Sequence, residues 1–120
     1  MKIAFLFLCA LTLLAQPAPE HQGNFNIRFE PSAKLQTGVQ VPFQITVTDS
    51  LRKPLIQAKV TLQIETLDGK NVTVYKAPAV NPGVYVAKPV FPFSGEWNVY
   101  VEVHRDNQMT ARTIQFSVPQ

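Results

Sequence analysis

Apolar and polar residues alternate along most of this chain with a period of two. Phe25, Ile27 and Phe29 alternate with Asn26, Arg28 and Glu30; Val41, Phe43, Ile45 and Val47 with Gln44, Thr46 and Thr48; Val60, Leu62 and Ile64 with Thr61, Gln63 and Glu65. Successive side chains of a strand point to opposite faces, so each run predicts a strand with one buried face. No stretch shows a helical period of comparable strength. Pro31 ends the first run, as proline can at an edge strand or at a crossing between sheets. Asp49 to Pro54 reads as a turn-rich connection.

The segment Gly83 to Val103 carries the strongest signal. Two alternating runs flank a corner punctuated by Pro and Gly, and the chain's single Trp, Trp97, starts the second run. Trp97, Val99, Val101 and Val103 alternate with Asn98, Tyr100, Glu102 and His104, and a closing run sets Ile114, Phe116 and Val118 against Thr113, Gln115 and Ser117. Pairing Trp97 with Phe116 and Val99 with Ile114 matches the inner faces. Continued unbroken, that register sets His104 opposite Met109 but also places Arg112 on the inner face against Val101, an expensive place for an unpaired charge. A bulge at Arg112 is therefore expected, turning Arg112 outward and setting Val101 against Ala111 and Val103 against Met109.

Asp68-Gly69 is the strongest short hairpin signal. A two-residue loop would put Val72 and Val74 on the face opposite Leu62 and Ile64. A three-residue loop, Leu67 to Gly69 with Gly69 at positive φ, would put all four on one face. Register follows the buried face, which favours the three-residue loop. Tyr75 and Tyr100 then fall in outward phase. About seven short strands separated by turn signals predict an all-β, immunoglobulin-like antiparallel β-sandwich over residues 24–120.

Composition adds an address. Met1-Lys2 followed by the apolar run Ile3 to Ala15 reads as a secretory signal peptide, residues 1–15, too short to span a bilayer comfortably. Cleavage after Ala15 makes Gln16 the expected mature start, because cleavage after Ala18 would leave Pro19 beyond the cut. Leu8 before Cys9 argues against a lipid anchor. Residues 16–23 are polar and read as a flexible lead. Losing the signal removes the chain's only cysteine, so packing alone must hold the fold. The formal charge of +3 becomes +2 without Lys2, with no basic block longer than Arg52-Lys53, which argues against a nucleic-acid surface. A periplasmic or secreted location follows, with no membrane span after cleavage.

The stretch Val47 to Val60, with its Asp49 turn, Pro54 and Ala58-x-Val60, followed by Gly83-x-Tyr85, Gly95-x-Trp97 and Ile114-x-Phe116-x-Val118, resembles the YtkA-like/FixH-like group of exported bacterial β-sandwich domains. The resemblance covers roughly Leu35 to Val118. It implies an extracytoplasmic accessory role, often tied to copper handling or to assembly of a membrane complex. Gly83, Tyr85, Gly95, Trp97 and Phe116 are expected to be structural: the glycines where a side chain would clash, Tyr85 and Trp97 as buried area with one polar handle each. Family members suspected of binding metal tend to carry Met and His between the Ala-x-Val and Gly-x-Tyr strands. Ala58 to Gly83 contains neither.

Candidate chemistry is sparse. His104 with Met109 and Asp106 could offer copper an imidazole and a thioether at a hairpin mouth, though as an incomplete set. His21 would be third in a chain trimmed to Pro19-Glu20-His21, where an amine, two amides and an imidazole suit Cu(II). No nucleophile, base and orienting group converge, and Glu65, Asp68, Glu96 and Glu102 show no paired-carboxylate spacing, so no enzyme is expected. Asn71-Val72-Thr73 matches a glycosylation sequon, which matters only in a eukaryotic secretory pathway. Phe91-Pro92-Phe93 could dock a protein partner, or one or both rings could plug the open end of the sandwich. The expectation is a noncatalytic interaction or accessory module without a cofactor, with a protein partner such as an envelope complex, and with a copper-binding accessory protein as the alternative.

Overall fold

In the computed structural model, residues 21–120 are described; the expected signal peptide and most of the lead lie outside them. Nine strands form two sheets: β1 (His21–Gln22), β2 (Asn26–Pro31), β3 (Phe43–Thr48), β4 (Lys59–Thr66), β5 (Val72–Lys76), β6 (Ala79–Asn81), β7 (Val84–Ala87), β8 (Gly95–Arg105) and β9 (Gln108–Val118). One sheet has the order β1-β9-β8-β4-β5 and the other β2-β3-β7-β6. All pairings are antiparallel except the short parallel contact of β1 with β9. Equating β2, β3, β4, β6, β7, β8 and β9 with strands A to G gives the A-B-E-D and C-F-G sheets of an immunoglobulin-like sandwich, with β5 added beside C. The expected fold class is therefore the observed one. The two strands with no counterpart among the alternating runs of the sequence are the two-residue β1 and the three-residue β6.

The alternating runs bury the faces they promise. Phe43, Ile45, Val47, Leu62, Ile64, Val99, Val101 and Val103 are almost wholly inaccessible, as are Val41, Tyr85, Phe91 and Trp97. Each such side chain contributes about 1.5–3 kcal/mol relative to exposure, so a sandwich without any cross-link among the described residues is held by this layer. Rings run through it in contact: Phe29 and Phe116 with Phe43, Phe43 with Phe91, and Phe91 with Trp97. Trp97 and Phe116 are opposite in register as expected, but the ring partners of Trp97 are Phe91 and Phe93.

Five positions behind the family resemblance meet in one junction. Asp49 Oδ1 accepts the backbone N–H of Leu51 and Lys53 at 2.8 and 2.9 Å, folding the β3–β4 connection. Gly83, at φ +74°, turns against that connection so closely that a Cβ would lie 2.7 Å from Pro54 Cβ and 3.0 Å from Val47 O. Two residues on, the buried Tyr85 hydroxyl donates to Leu55 O at 2.7 Å and receives Ala58 N–H at 3.4 Å. Asp49, Pro54, Ala58, Gly83 and Tyr85 are thus one structural device that pins a long loop to the core. Gly95 differs from expectation: a Cβ there would meet nothing within 4 Å, and glycine is favoured only by its φ of +127°.

Four further expectations are corrected. Strands β8 and β9 pair without a bulge, with Val101 opposite Arg112, Val103 opposite Thr110 and His104 opposite Met109. Arg112 is tolerated in that phase because it lies exposed at the seam between the sheets, where Nη1 donates to Ile27 O of β2 at 2.7 Å. Strands β4 and β5 adopt the register of the shorter loop, Glu65 opposite Val72 and Gln63 opposite Val74, so both valines are exposed at 49% and 58%. Gly69 does take a positive φ of 75°, and its N–H closes the turn onto Thr66 O. The residue that shares the phase of Leu62 is Tyr75, half-buried against the core. Finally, the lead does not stay free to its end, since His21 and Gln22 pair with Gln108 and Met109 and Gly23 N–H donates to Met109 O at 2.9 Å.

Candidate functional site

Four sheet edges result from this topology, and three are shielded in part. Strand β2 ends on Pro31, which offers no N–H. Strand β6 has three residues, lies between Pro78 and Pro82 and pairs with an irregular register. Strand β9 carries β1 along its Gln108–Met109 end, which leaves Thr110 to Val118 without an outer strand neighbour among the described residues. Strand β5 is different: five regular residues, no proline, no bulge, and no neighbour on its outer side among the described residues.

The hydrogen-bond phase of β5 follows from its two ends. Thr66 N–H donates to Asn71 O and Ala77 N–H donates to Val60 O, which fixes Asn71, Thr73, Tyr75 and Ala77 as the positions bonded to β4. The backbone groups of Val72, Val74 and Lys76 therefore point away from the sheet. Tyr75 holds the strand from inside, because its hydroxyl receives Val90 N–H at 3.3 Å from the opposite wall of the sandwich. An open edge anchored in this way is preorganised for strand addition.

Shallow troughs flank the edge. One of about 410 Å³ is lined by Tyr75, Lys76, Pro78, Val80, Val86 and Lys88, among others. Another, of about 390 Å³, runs past Ala58, Lys59, Thr61, Lys76 and Pro78. Their charges are Lys59, Lys76 and Lys88, so a surface bearing carboxylates fits best against this rim. Val72 and Val74 on β5 and Val80 on β6 are exposed apolar side chains.

The residues singled out from sequence are distributed elsewhere. Phe91 is fully buried and plugs the sandwich, whereas Phe93 is 45% exposed, lies against Trp97 with centroids 5.1 Å apart, and accepts the Trp97 Nε1–H at its carbonyl at 3.1 Å. Of the Phe91-Pro92-Phe93 corner, Pro92 and Phe93 remain accessible. His104 and Met109 are direct cross-strand neighbours, but the His104 Nε2 lies 2.8 Å from Glu102 Oε1 on its own strand. Asp106 sits at φ +55° in the hairpin turn. The backbone of His21 comes to the same end of the sheet, beside Gln108. No group of three or more His, Cys, Asp or Glu able to hold a metal ion occurs among the described residues.

At that end a cleft of about 430 Å³ opens between the β3–β4 connection and the β8–β9 turn, lined by Phe25, Asp49, Leu55, Arg105, Asp106, Asn107 and Gln108. Asp49 Oδ1 already accepts two backbone N–H groups there. Two other carboxyls are held below their ordinary values. Asp68 is stabilised in its charged form by the Lys70 N–H and the Thr66 hydroxyl, and Glu96 by the Ser117 hydroxyl and the Gln115 amide. Burial, with the Glu102 charge as a smaller cause, pushes the Tyr100 phenol up. These groups tie hairpins together and do not converge on a cavity.

Sequence reading passed over the β5 edge, because the favoured hairpin register buried Val72 and Val74. The available signal was the Asp68-Gly69 dipeptide, whose shorter-loop register exposes them. No family model matches the chain, and no curated protein matches it.

Proposed function

We propose that this protein is a noncatalytic, extracytoplasmic interaction module of the YtkA-like/FixH-like kind, which binds protein through the open edge of β5. The observation that carries this reading is the regular, unshielded edge Val72–Lys76, with valines facing outward and three backbone positions free to bond. The apolar run at the amino terminus supports export, and the spaced positions from Asp49 to Val118 support the family reading. The lysine rim favours a partner surface that presents carboxylates beside apolar side chains.

Pull-down from the extracytoplasmic fraction tests the reading. Wild type is expected to retain a specific protein that Val74→Lys loses, with Phe93→Ser behaving as wild type. Substituting Phe93 leaves the buried Phe91 in place, and circular dichroism checks that the variant keeps the fold. Equal retention by wild type and Val74→Lys refutes docking at β5. Dialysis against Cu(I) or Cu(II) is expected to leave no stoichiometric metal; copper bound by wild type and lost in His104→Ala would instead establish the copper-accessory role.

A further inference from the structure

We infer that the partner of the β5 edge is the β5 edge of a second copy of this chain, paired antiparallel about a two-fold axis at Val74. This inference rests on the docking role proposed for the edge and names its occupant. The outward backbone positions Val72, Val74 and Lys76 are symmetric about Val74. Antiparallel pairing bonds outward positions only to outward positions. Setting Val74 against Val74 of the second copy, and Val72 against Lys76, satisfies all three at once with about six hydrogen bonds. A shift of one residue would set outward positions against inward ones and lose every bond.

Charge selects the same arrangement. On β4, Glu65 is the neighbour of Val72, so Lys76 of the second copy arrives on the far side of the same valine. Both long side chains can then cover Val72 and approach each other. Parallel pairing would instead bring like lysines together. In the antiparallel pair the two Lys76 positions are separated by four residues along the strand, about 13 Å, which exceeds the Debye length of about 8 Å at physiological salt.

The assembly also closes. Pairing consumes the β5 edge of each copy, which is the one edge among the described strands with neither a proline in or beside it nor a strand along part of it. A two-fold contact of this kind stops at two chains. Five-residue strands make a small interface, so the dimer is weak and its population depends on concentration.

Sedimentation equilibrium of protein expressed from the full-length sequence, between about 10 μM and about 1 mM, tests this. The wild-type mass is expected to rise to that of two chains and no further. Val74→Pro removes one outward N–H and no bond to β4, and Val74→Lys sets like charges across the axis; both are expected to stay at one chain with wild-type circular dichroism. An equimolar mixture of Val74→Lys and Val74→Glu is expected to associate at least about tenfold more tightly than either alone. A wild type that remains single at the highest concentration, a Val74→Pro that assembles like wild type, or a mixture no tighter than its components overturns the inference. If wild type stays single yet loses a pull-down partner on Val74→Lys, self-pairing falls and docking at β5 stands. If no β5 variant alters any binding, both fall.

Discussion

The two long sides of the five-stranded sheet are finished in opposite ways. On the β9 side, backbone and charge seal the seam: β1 pairs along Gln108–Met109, and the Arg112 guanidinium donates to Ile27 O in the other sheet. On the β5 side a single hydroxyl, that of Tyr75, reaches across to Val90, and the strand beyond it is left open with Val72 and Val74 outward. The sealed side carries polar residues in the inner-face phase of β9, the exposed Arg112 and the half-buried Thr110, whereas the open side carries apolar groups on its outer face. A charge in an inward phase is acceptable where, like Arg112, it reaches solvent and an acceptor on the facing sheet, and an apolar residue in an outward phase is acceptable where another surface can cover it.

Cutting the tie on the open side is expected to have the largest effect. Tyr75→Ala removes both the half-buried ring and the Val90 bond and should cost about 2–4 kcal/mol in urea unfolding, with amide exchange rising first over residues 72–76. Tyr75→Phe keeps the ring and should cost about 1 kcal/mol, which separates the hydroxyl from the packing. Comparable loss in the two variants would mean that the bond alone anchors β5.

On the sealed side, Arg112→Ala is expected to cost about 1.5–3 kcal/mol, since it removes a charge-assisted bond and leaves the Ile27 carbonyl without that donor. Unchanged stability would show that the seam is held by packing alone. Thr110 sharpens the same point, because its buried hydroxyl has no hydrogen-bond partner among the described residues. Thr110→Val should leave stability unchanged or raise it by about 1 kcal/mol, and a clear loss would reveal a partner for that oxygen.

Acid probes both sides with the smallest effect. Asp68 ties the hairpin that leads into β5, and Glu96 ties β8 to β9. Both carboxyls lie below their ordinary values when folded, so each contributes stability that is present above the ordinary carboxylate range and lost as pH falls through the folded value. Stability should therefore decline below about pH 4. Asp68→Asn and Glu96→Gln should each flatten that decline, and a steeper acid limb in either variant would reverse the sign.

Much of the fold was legible because burial is written in the alternation itself. Trp97, Val99, Val101 and Val103 are inward because polar residues separate them, and no other phase buries them. Gly69 and Gly83 were readable as turn residues because positive φ favours glycine. The β4–β5 register was not, because the rule that valines go inward competed with the Asp68-Gly69 turn, and the turn won. Tyr75 could take the inward position only because Val90 presents a backbone partner from a distant part of the chain. The expectation of a bulge at Arg112 failed for the same kind of reason.

The chain by itself thus determines the longer strands, the buried faces of β2, β3, β4 and β8 and the positive-φ turn glycines, since these depend on neighbours one to four residues apart. Only the tertiary structure decides which edge stays open, which inward charge is paired, and that Asp49, Pro54, Ala58, Gly83 and Tyr85 form one junction. Those outcomes depend on carbonyls, hydroxyls and strand ends brought together from far along the chain, which alternation cannot encode.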